Sequence, residues 1–303
     1  MSENPVVGYL GMGEMGVPMS KNIAKAGYPL VVWNRTRAKA EAVAASMPGI
    51  EVGDTPADVA RKATVLITNV LDTKALLDVV EGPNGLVETM APGSTLIDHG
   101  TVSPNATRAL AARLKAKGIG MLDAPVSGGP TGAESRTLAI MVGGDEEVYN
   151  RNLPVLEAEG NNIHLVGPSG MGQTTKFVNQ ILVVAAFASA FEALSFTVHV
   201  GADVNLTAQA INQNIGGAAT LRRTGPRIMA NEFTTDAAVR LWVKDLAMVL
   251  EEARSADIPL PMTGAIYEAF KMLDQAGAGK TFGFPDVDGV WSWVAERMRD
   301  MMR

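Results

Sequence analysis

The sequence predicts an α/β chain in which an N-terminal doubly wound parallel sheet is joined by a long helix to an all-helical C-terminal domain. Three observations predict it. Short apolar runs alternate with helix-patterned segments through the first half of the chain, and strand signals cease after about residue 170. A glycine-spaced turn, Gly11, Gly13 and Gly16, separates the first apolar run from the first helical pattern. The strand-like runs are Val6–Leu10, Leu30–Trp33, Val65–Thr68, Thr95–Asp98, Gly120–Asp123, Ala139–Val142 and Asn162–Leu165. Helical patterns lie between most of them, at Ala38–Ser46, Pro56–Arg61, Thr73–Val80 and Asn105–Lys117. Further on, amphipathic stretches cover Leu206–Asn212, Val239–Ala256 and Thr263–Ala276. This organisation divides the chain into a sheet domain, 1–165, and a helical domain, 166–303, with the linking helix at about 173–200. A cleft between two such domains is the expected seat of a small ligand.

Composition narrows the function classes. With 47% hydrophobic and 19% charged residues, the 303-residue chain is globular and long enough for a large core. Thirty-two acids against 26 bases give a net charge of −6 without a basic cluster, which argues against a nucleic-acid partner. There are no cysteines and only three scattered histidines, so disulfides, thiol chemistry and a metal centre are not expected. The chain passes from MSENP into a strand with no signal-peptide pattern, so a cytoplasmic location is expected. The apolar run Ile181–Phe191 is too short to span a bilayer and reads as a buried helix, so no membrane partner is expected.

The segment from Val7 to Thr36 reads as strand, turn, helix and strand. In the turn Gly11-Met12-Gly13-Glu14-Met15-Gly16, the first glycine permits the tight bend and the second lets backbone approach a pyrophosphate. The third permits close packing of helix on strand, and the helix N-terminus faces the phosphate charge. A second strand ends roughly 20 residues beyond the first glycine, where a dinucleotide site reads the ribose. An NAD site would carry Asp or Glu there, but this chain has Asn34-Arg35-Thr36. Guanidinium and hydroxyl suit a 2′-phosphate, with Arg37 and Lys39 as helpers, which points to NADP(H) over NAD(H). The competing reading is that Arg35 only solvates the surface.

Two further motifs carry chemistry. Asp123-Ala124-Pro125-Val126-Ser127-Gly128-Gly129 leaves a strand and ends in a turn that either offers a hydroxyl and backbone N–H groups to a carboxylate or merely reverses the chain. Gly170-Met171-Gly172-Gln173-Thr174-Thr175-Lys176-Phe177-Val178-Asn179-Gln180 opens the linking helix. Lys176, Asn179 and Gln180 share one helical face near its N-terminal end, where helix charge and desolvation would favour proton exchange by the lysine near neutral pH. Taken alone, that lysine reads as solvated. Lys244-Asp245 in an amphipathic helix is either a cofactor contact or an ordinary surface pair, and Arg222-Arg223 after Gly216-Gly217 is a second candidate anion contact.

Together these residues resemble the β-hydroxyacid dehydrogenase family, which includes 3-hydroxyisobutyrate dehydrogenase and tartronate semialdehyde reductase. Four motifs carry the resemblance in order: GLGxMGxPM at Gly11–Met19 with Met12 for Leu, DAPVSGG at 123–129, GxGxxxKxxN at 170–179, and KDL at 244–246. The resemblance implies a Rossmann domain and a helical domain, Lys176 as acid/base, and Asn179 holding substrate or the lysine. It further implies Ser127, Gly128 and Gly129 on the substrate carboxylate, Thr101 near the nicotinamide, and Lys244 on the cofactor, with Asn69 and Val70 lining it. The Asn34-Arg35-Thr36 run resembles that of NADP(H)-preferring members. Departures occur at Asn69-Val70-Leu71 for Met-Leu-Pro, at His99-Gly100 for a small residue and serine, and at Thr235-Asp236-Ala237 for Pro-Gly-Phe. The implied activity is NADP(H)-dependent interconversion of a small 3-hydroxy acid and its semialdehyde or related carbonyl; the apolar linking helix and helical second domain suit subunit packing, so a homodimer or homotetramer is expected. An imine reductase and a non-catalytic nucleotide-binding scaffold are the alternatives; DAPVSGG with Lys176 argues against both.

Overall fold

The first strand, β1 (Val7–Leu10), is wholly buried, and its alternate residues enter different cores: Val7 and Tyr9 one, Leu10 the other. The same alternation runs through β2 (Leu30–Trp33), β4 (Val65–Thr68), β5 (Thr95–Asp98) and β6 (Gly120–Asp123). Strands buried on both faces require covering layers on both sides, and parallel pairing supplies them through helical crossovers. In the computed structural model, which describes residues 4–212 and 239–275, the order is β3-β2-β1-β4-β5-β6, all parallel, with β3 at Ile50–Val52. The chain winds outward from β1 in one direction and then, from β4, in the other, so the switch point lies between β1 and β4.

Helices α1 (Gly16–Lys25) and α2 (Arg37–Ser46) cover one face, through Met19, Ile23, Ala40 and Val43. The opposite face is covered by α3 (Pro56–Lys62), α4 (Thr73–Glu81) and α5 (Pro104–Lys115). The starts of these three helices are written in the sequence. Thr55 caps α3 in a reciprocal box with Asp58, Asp72 caps α4, and Ser103 caps α5, with proline in the first turn of α3 and α5. Each such cap is worth about 1 kcal/mol. After β6 come β7 (Val126–Ser127), α6 (Gly129–Ser135), β8 (Leu138–Gly144), α7 (Glu146–Leu156) and β9 (Gly160–Gly167). β8 runs antiparallel to β6 and β7 and parallel to β9.

The chain divides into two compact units, Met1–Lys176 and Phe177–Arg303. Helix α8 (Met171–His199) begins in the first and continues in the second, which also holds α9 (Val204–Ile211), α10 (Val239–Ser255) and α11 (Pro261–Gln275). The core of the second unit packs Val184, Phe191 and Leu194 of α8 against Trp242 and Leu246 of α10 and Phe270 of α11. Trp242 stacks on Phe187 at 4.7 Å and meets Phe270 edge-on at 5.3 Å. By length and composition, Met171–Leu194 suffices to cross a membrane, a longer apolar span than Ile181–Phe191 alone suggests. Its buried Gln173, Lys176 and Gln180 are those of a helix whose polar groups are partnered by protein.

The glycine turn fixes how α1 meets the sheet. A Cβ on Gly16 would lie 1.8 Å from the Gly11 carbonyl oxygen, so the helix sits as close to the strand end as backbone allows. Gly16→Ala should therefore lower stability by about 1–3 kcal/mol, read as a lower melting temperature by circular dichroism; an unchanged melt would show that α1 can move outward freely.

Candidate active site

The carboxyl ends of the parallel strands bring most of the sequence-marked residues of the first unit together. At the switch point, Gly11 has φ of +112°, and a Cβ there would lie 2.2 Å from the Asn69 carbonyl oxygen, so β1 and β4 close tightly beneath the turn. Gly13 is the opposite case: nothing lies within 4 Å of its would-be Cβ, and Gly13 and Glu14 are exposed. Met12 and Gly16 are buried beneath this open edge, with Met15 half-buried. The arrangement fits a pyrophosphate approaching bare backbone at the start of α1. Asn34 joins the turn to the β2 end, because its Oδ1 accepts the Met12 N–H at 3.0 Å and its Nδ2 donates to the Thr36 carbonyl at 2.9 Å. Arg35 and Thr36 are exposed beside it. Arg37 is engaged by Glu41 at 2.7 Å and by Asp54, which occupies the guanidinium that the sequence offered as a helper.

Deeper along the strand ends, Asp123 closes β6 and caps α8. Its Oδ1 accepts the Gly170 N–H at 2.8 Å and its Oδ2 the Gln173 N–H at 2.9 Å, with Gly172 also bonding to it. Burial pushes this carboxyl up, and the amide bonds pull it back only in part. Gln173, fully buried, then clips the loop after β5: its Nε2 donates to the Gly100 carbonyl at 2.8 Å and its Oε1 accepts the Val102 N–H at 3.1 Å. Thr101 stands between those two bonds. A Cβ on Gly100 would lie 3.0 Å from the Val70 oxygen, so the loop carrying Thr101 adjoins the one carrying Asn69 and Val70.

One helical step beyond Gln173, Lys176 is 7% exposed and its Nζ donates to the Val126 carbonyl at 2.8 Å. The ammonium is therefore held against the residue preceding Ser127. Gly128 and Gly129 follow with φ of +136° and +64°, and α6 starts at Gly129, so the turn of the sequence reading is also a helix entry. Ser127, Gly128 and Gly129 are all half-buried. Lysine and serine-glycine turn, read as separate motifs, thus lie side by side in one unit.

Further residues on α8 and α10 belong to the second unit. Asn179 donates to Gln180 Oε1 at 3.1 Å, Gln180 donates to Asp245 Oδ2 at 2.5 Å, and Lys244 pairs with Asp245 at 3.0 Å. Gln180 and Asp245 are buried, which ties α8 to α10 through a charge-assisted bond. Arg222-Arg223, Thr235-Asp236-Ala237 and the segment from Phe282 to Trp293 lie outside the described residues. A groove of about 650 Å³ lined by Lys115, Gly120, Asp145 and Arg151 lies at the opposite, amino ends of β5 and β6 and contains none of the marked residues.

Sequence reasoning gave no role to the polar groups buried beneath these loops. Asp98 accepts the Thr68 hydroxyl at 2.8 Å and the Gly100 N–H at 3.2 Å through Oδ1, while its Oδ2 has no partner among the described residues. Burial pushes its carboxyl up to about 7, against the opposing pull of those two donors. His99 lies between the Ala124 carbonyl, 2.6 Å from Nδ1, and Glu159, 3.0 Å from Nε2. Burial disfavours its charged form, but the Glu159 carboxylate, its hydrogen bond and the Ala124 carbonyl together outweigh burial and raise it. Tyr9 is pushed well up by burial and then by the Glu159 charge, and its hydroxyl accepts from Asn69 at 3.3 Å. The signal that could have found His99 was its departure from the family pattern.

The Asp98 shift has a stability consequence. A carboxyl raised from 3.8 to about 7 in the native state holds a proton that the unfolded chain has released, so its contribution is present below pH 4 and lost as pH rises through 7. Asp98→Asn should remove roughly 2–4 kcal/mol of that decline, measured as denaturant-unfolding stability at pH 4.5 and 8. A wild-type slope matching the variant's would show that Asp98 is ionised throughout.

The site has the parts of a nicotinamide-dependent enzyme, and comparison with known proteins agrees. Residues 6–167 match the NAD binding domain of 6-phosphogluconate dehydrogenase, and residues 170–282 match the NAD-binding domain of NADP-dependent 3-hydroxyisobutyrate dehydrogenase. The chain is 36% identical to 2-hydroxy-3-oxopropionate reductase of Escherichia coli, over 90% of this chain and 93% of that one. It is 30% identical to mitochondrial 3-hydroxyisobutyrate dehydrogenase of Mus musculus, over 98% and 89% of the two chains. Its fold matches the crystal structure of 3-hydroxyisobutyrate dehydrogenase from Salmonella typhimurium with a TM-score of 0.83 and 26% identity, covering 95% of this chain and 99% of that one. With both halves matched in order and the glycine cradle open at Gly13, the chain belongs to the β-hydroxyacid dehydrogenase family and is a nicotinamide-dependent oxidoreductase.

Proposed function

We propose that this protein interconverts a small 3-hydroxy acid, 3-hydroxyisobutyrate- or glycerate-like, and its semialdehyde, using NADP(H) in preference to NAD(H), with Lys176 as proton donor and acceptor. The observation that carries the reading is the Lys176 ammonium, buried and bonded to the Val126 carbonyl beside Ser127-Gly128-Gly129. A bound nicotinamide supplies or accepts the hydride at the substrate carbon. The chain's own residues do the rest. Ser127, Gly128 and Gly129 hold the substrate carboxylate, Thr101 fixes the reacting end near the nicotinamide, and Lys176 gives a proton to the carbonyl oxygen in reduction or takes it from the hydroxyl in oxidation. Asn179, one turn along α8, supports substrate or lysine, and Lys244 contacts the cofactor.

NADP(H) preference is supported by the end of β2. Asn34 is spent on the turn and Arg37 on its acids, which leaves Arg35 with Thr36 exposed for a 2′-phosphate. Assembly into a homodimer or homotetramer is supported by apolar side chains exposed along α8, namely Val178, Leu182 and Phe196, and by Val200 just after it.

Lys176→Ala should lower kcat by about 10²–10⁴-fold while NADPH still quenches protein fluorescence on binding; near-normal turnover would remove the lysine from the mechanism. Arg35→Ala should raise the KM for NADPH by about tenfold and leave that for NADH unchanged, so that equal cofactor use by wild type and variant would count against the preference. Turnover of a cyclic imine and of no hydroxy acid would select the imine reductase alternative.

A further inference from the structure

The mechanism above leaves unused a set of buried titratable groups, Tyr9, His99 and Glu159, directly beneath the substrate loop. We propose that His99, oriented by Glu159, is a positioning residue that fixes the Ala124–Ser127 segment and, through the Val126 carbonyl, sets where the Lys176 ammonium stands. The proposal rests on Lys176 being the proton donor.

The geometry is a continuous chain of contacts. Glu159, just before β9, lies 3.0 Å from His99 Nε2, and both side chains are completely buried. His99 Nδ1 lies 2.6 Å from the Ala124 carbonyl, which can only accept, so Nδ1 is the donor. Ala124 is gripped from its other side too, because its N–H donates to the Asp98 carbonyl at 2.7 Å. Pro125, which follows, accepts from the Met141 N–H at 3.1 Å, and the next carbonyl, Val126, receives Lys176. Two peptide units, one of them proline-stiffened, therefore separate the histidine contact from the lysine contact. A shift of the first is transmitted to the second with little slack.

With Glu159 ionised, this brace has one satisfied protonation state. With Nδ1 donating to Ala124, an ionised Glu159 requires Nε2 to donate as well, which makes His99 an imidazolium. Removing its proton turns a lone pair toward either the Ala124 carbonyl or the Glu159 carboxylate, at 2.6 or 3.0 Å. The titratable groups that face the pair are Glu159 itself, Tyr9 on β1 and Asp98 on β5, with Asp123 at the end of β6 facing Asp98 in turn. The acids among them favour the charged histidine, so the brace strengthens as pH falls and weakens as pH rises.

The test compares full-length wild type with His99→Ala, His99→Asn and Glu159→Gln. Asparagine can still donate to the Ala124 carbonyl from the position of Nδ1 but cannot titrate. His99→Ala should lower kcat/KM by about tenfold or more, through kcat and the carboxylate substrate's KM, with the NADPH Kd within about twofold of wild type. His99→Asn should restore most of that loss. Glu159→Gln should bring the alkaline fall of kcat/KM to lower pH, an effect that a merely space-filling pair would not produce. Independently of turnover, acylation of Lys176 by an amine-reactive ester, followed by mass spectrometry, should be several-fold faster in His99→Ala than in wild type. A folded His99→Ala with wild-type kcat, KM and labelling overturns the proposal, as does a Glu159→Gln pH profile that superimposes on wild type. Should His99→Ala fail to fold, the His99→Asn and Glu159→Gln comparisons decide alone. If wild type turns over no hydroxy acid, the reading of Lys176 fails, and the labelling comparison still decides whether the brace exists.

Discussion

The loops at the carboxyl ends of β5 and β6 hang from the Asp123 carboxylate. It terminates β6, and the backbone N–H groups of Gly170, Gly172 and Gln173 converge on it, so a strand end and the first turn of α8 are joined by one buried, charge-assisted cap. The fit leaves no room for side chains. A Cβ on Gly143 would lie 2.7 Å from Asp123 Oδ1, and one on Gly172 would lie 2.4 Å from the Asp123 carbonyl oxygen. From that fixed start, helical geometry alone carries Gln173 to the loop after β5 and Lys176, three residues later on the same face, to the Val126 carbonyl. An unanchored helix start would leave both side chains free to shift, which on the proposed function would blur the position of the proton donor.

Much of the fold is legible in the sequence because the central strands are buried on both faces and so read as continuous apolar runs. β3 is not, since its three residues include the exposed Glu51 and its pairing with β2 defines it. β7 is two residues long and exists only as a partner of β8. Helix α6 opens on glycine and proline, and α7 contains Pro154, so local propensity argues against both and tertiary packing decides. The candidate site divides in the same way. Lys176 and Ser127-Gly128-Gly129 stand out because their motifs are local, whereas the His99–Glu159 contact joins residues 60 positions apart and Gln173 reaches back 73 to Gly100. No periodicity or spacing records a pairing of that range.

Asn34 shows how a correct reading of residue type can still miss the use made of it. The sequence marks the end of β2 as the ribose-reading position, and Asn34 is there. Its amide is nevertheless engaged on both sides, accepting from Met12 and donating to Thr36, so it shapes the glycine turn from within. The polarity that a cofactor meets at that strand end is then set by its exposed neighbours, Arg35 and Thr36.

A cluster of acids beneath a loop proposed to bind a carboxylate poses an electrostatic problem that the structure answers group by group. An uncompensated carboxylate ~6 Å from a bound anion would cost about 3 kcal/mol at an effective dielectric of ~20, roughly a hundredfold in affinity. Each of the three has at least one polar contact or a raised pKa, although Asp98 Oδ2 and Glu159 Oε1 have no hydrogen-bond partner among the described residues. Asp98 is pushed up to about 7 and so carries a proton for much of the time at neutral pH, Asp123 faces the positive end of α8, and Glu159 is matched by His99. His99 is the hydrogen-bonding partner with which Glu159 is buried there. The Lys176 side chain, bonded to the Val126 carbonyl, places a cation beside Ser127, and on the function proposed above that cation would attract an anionic substrate.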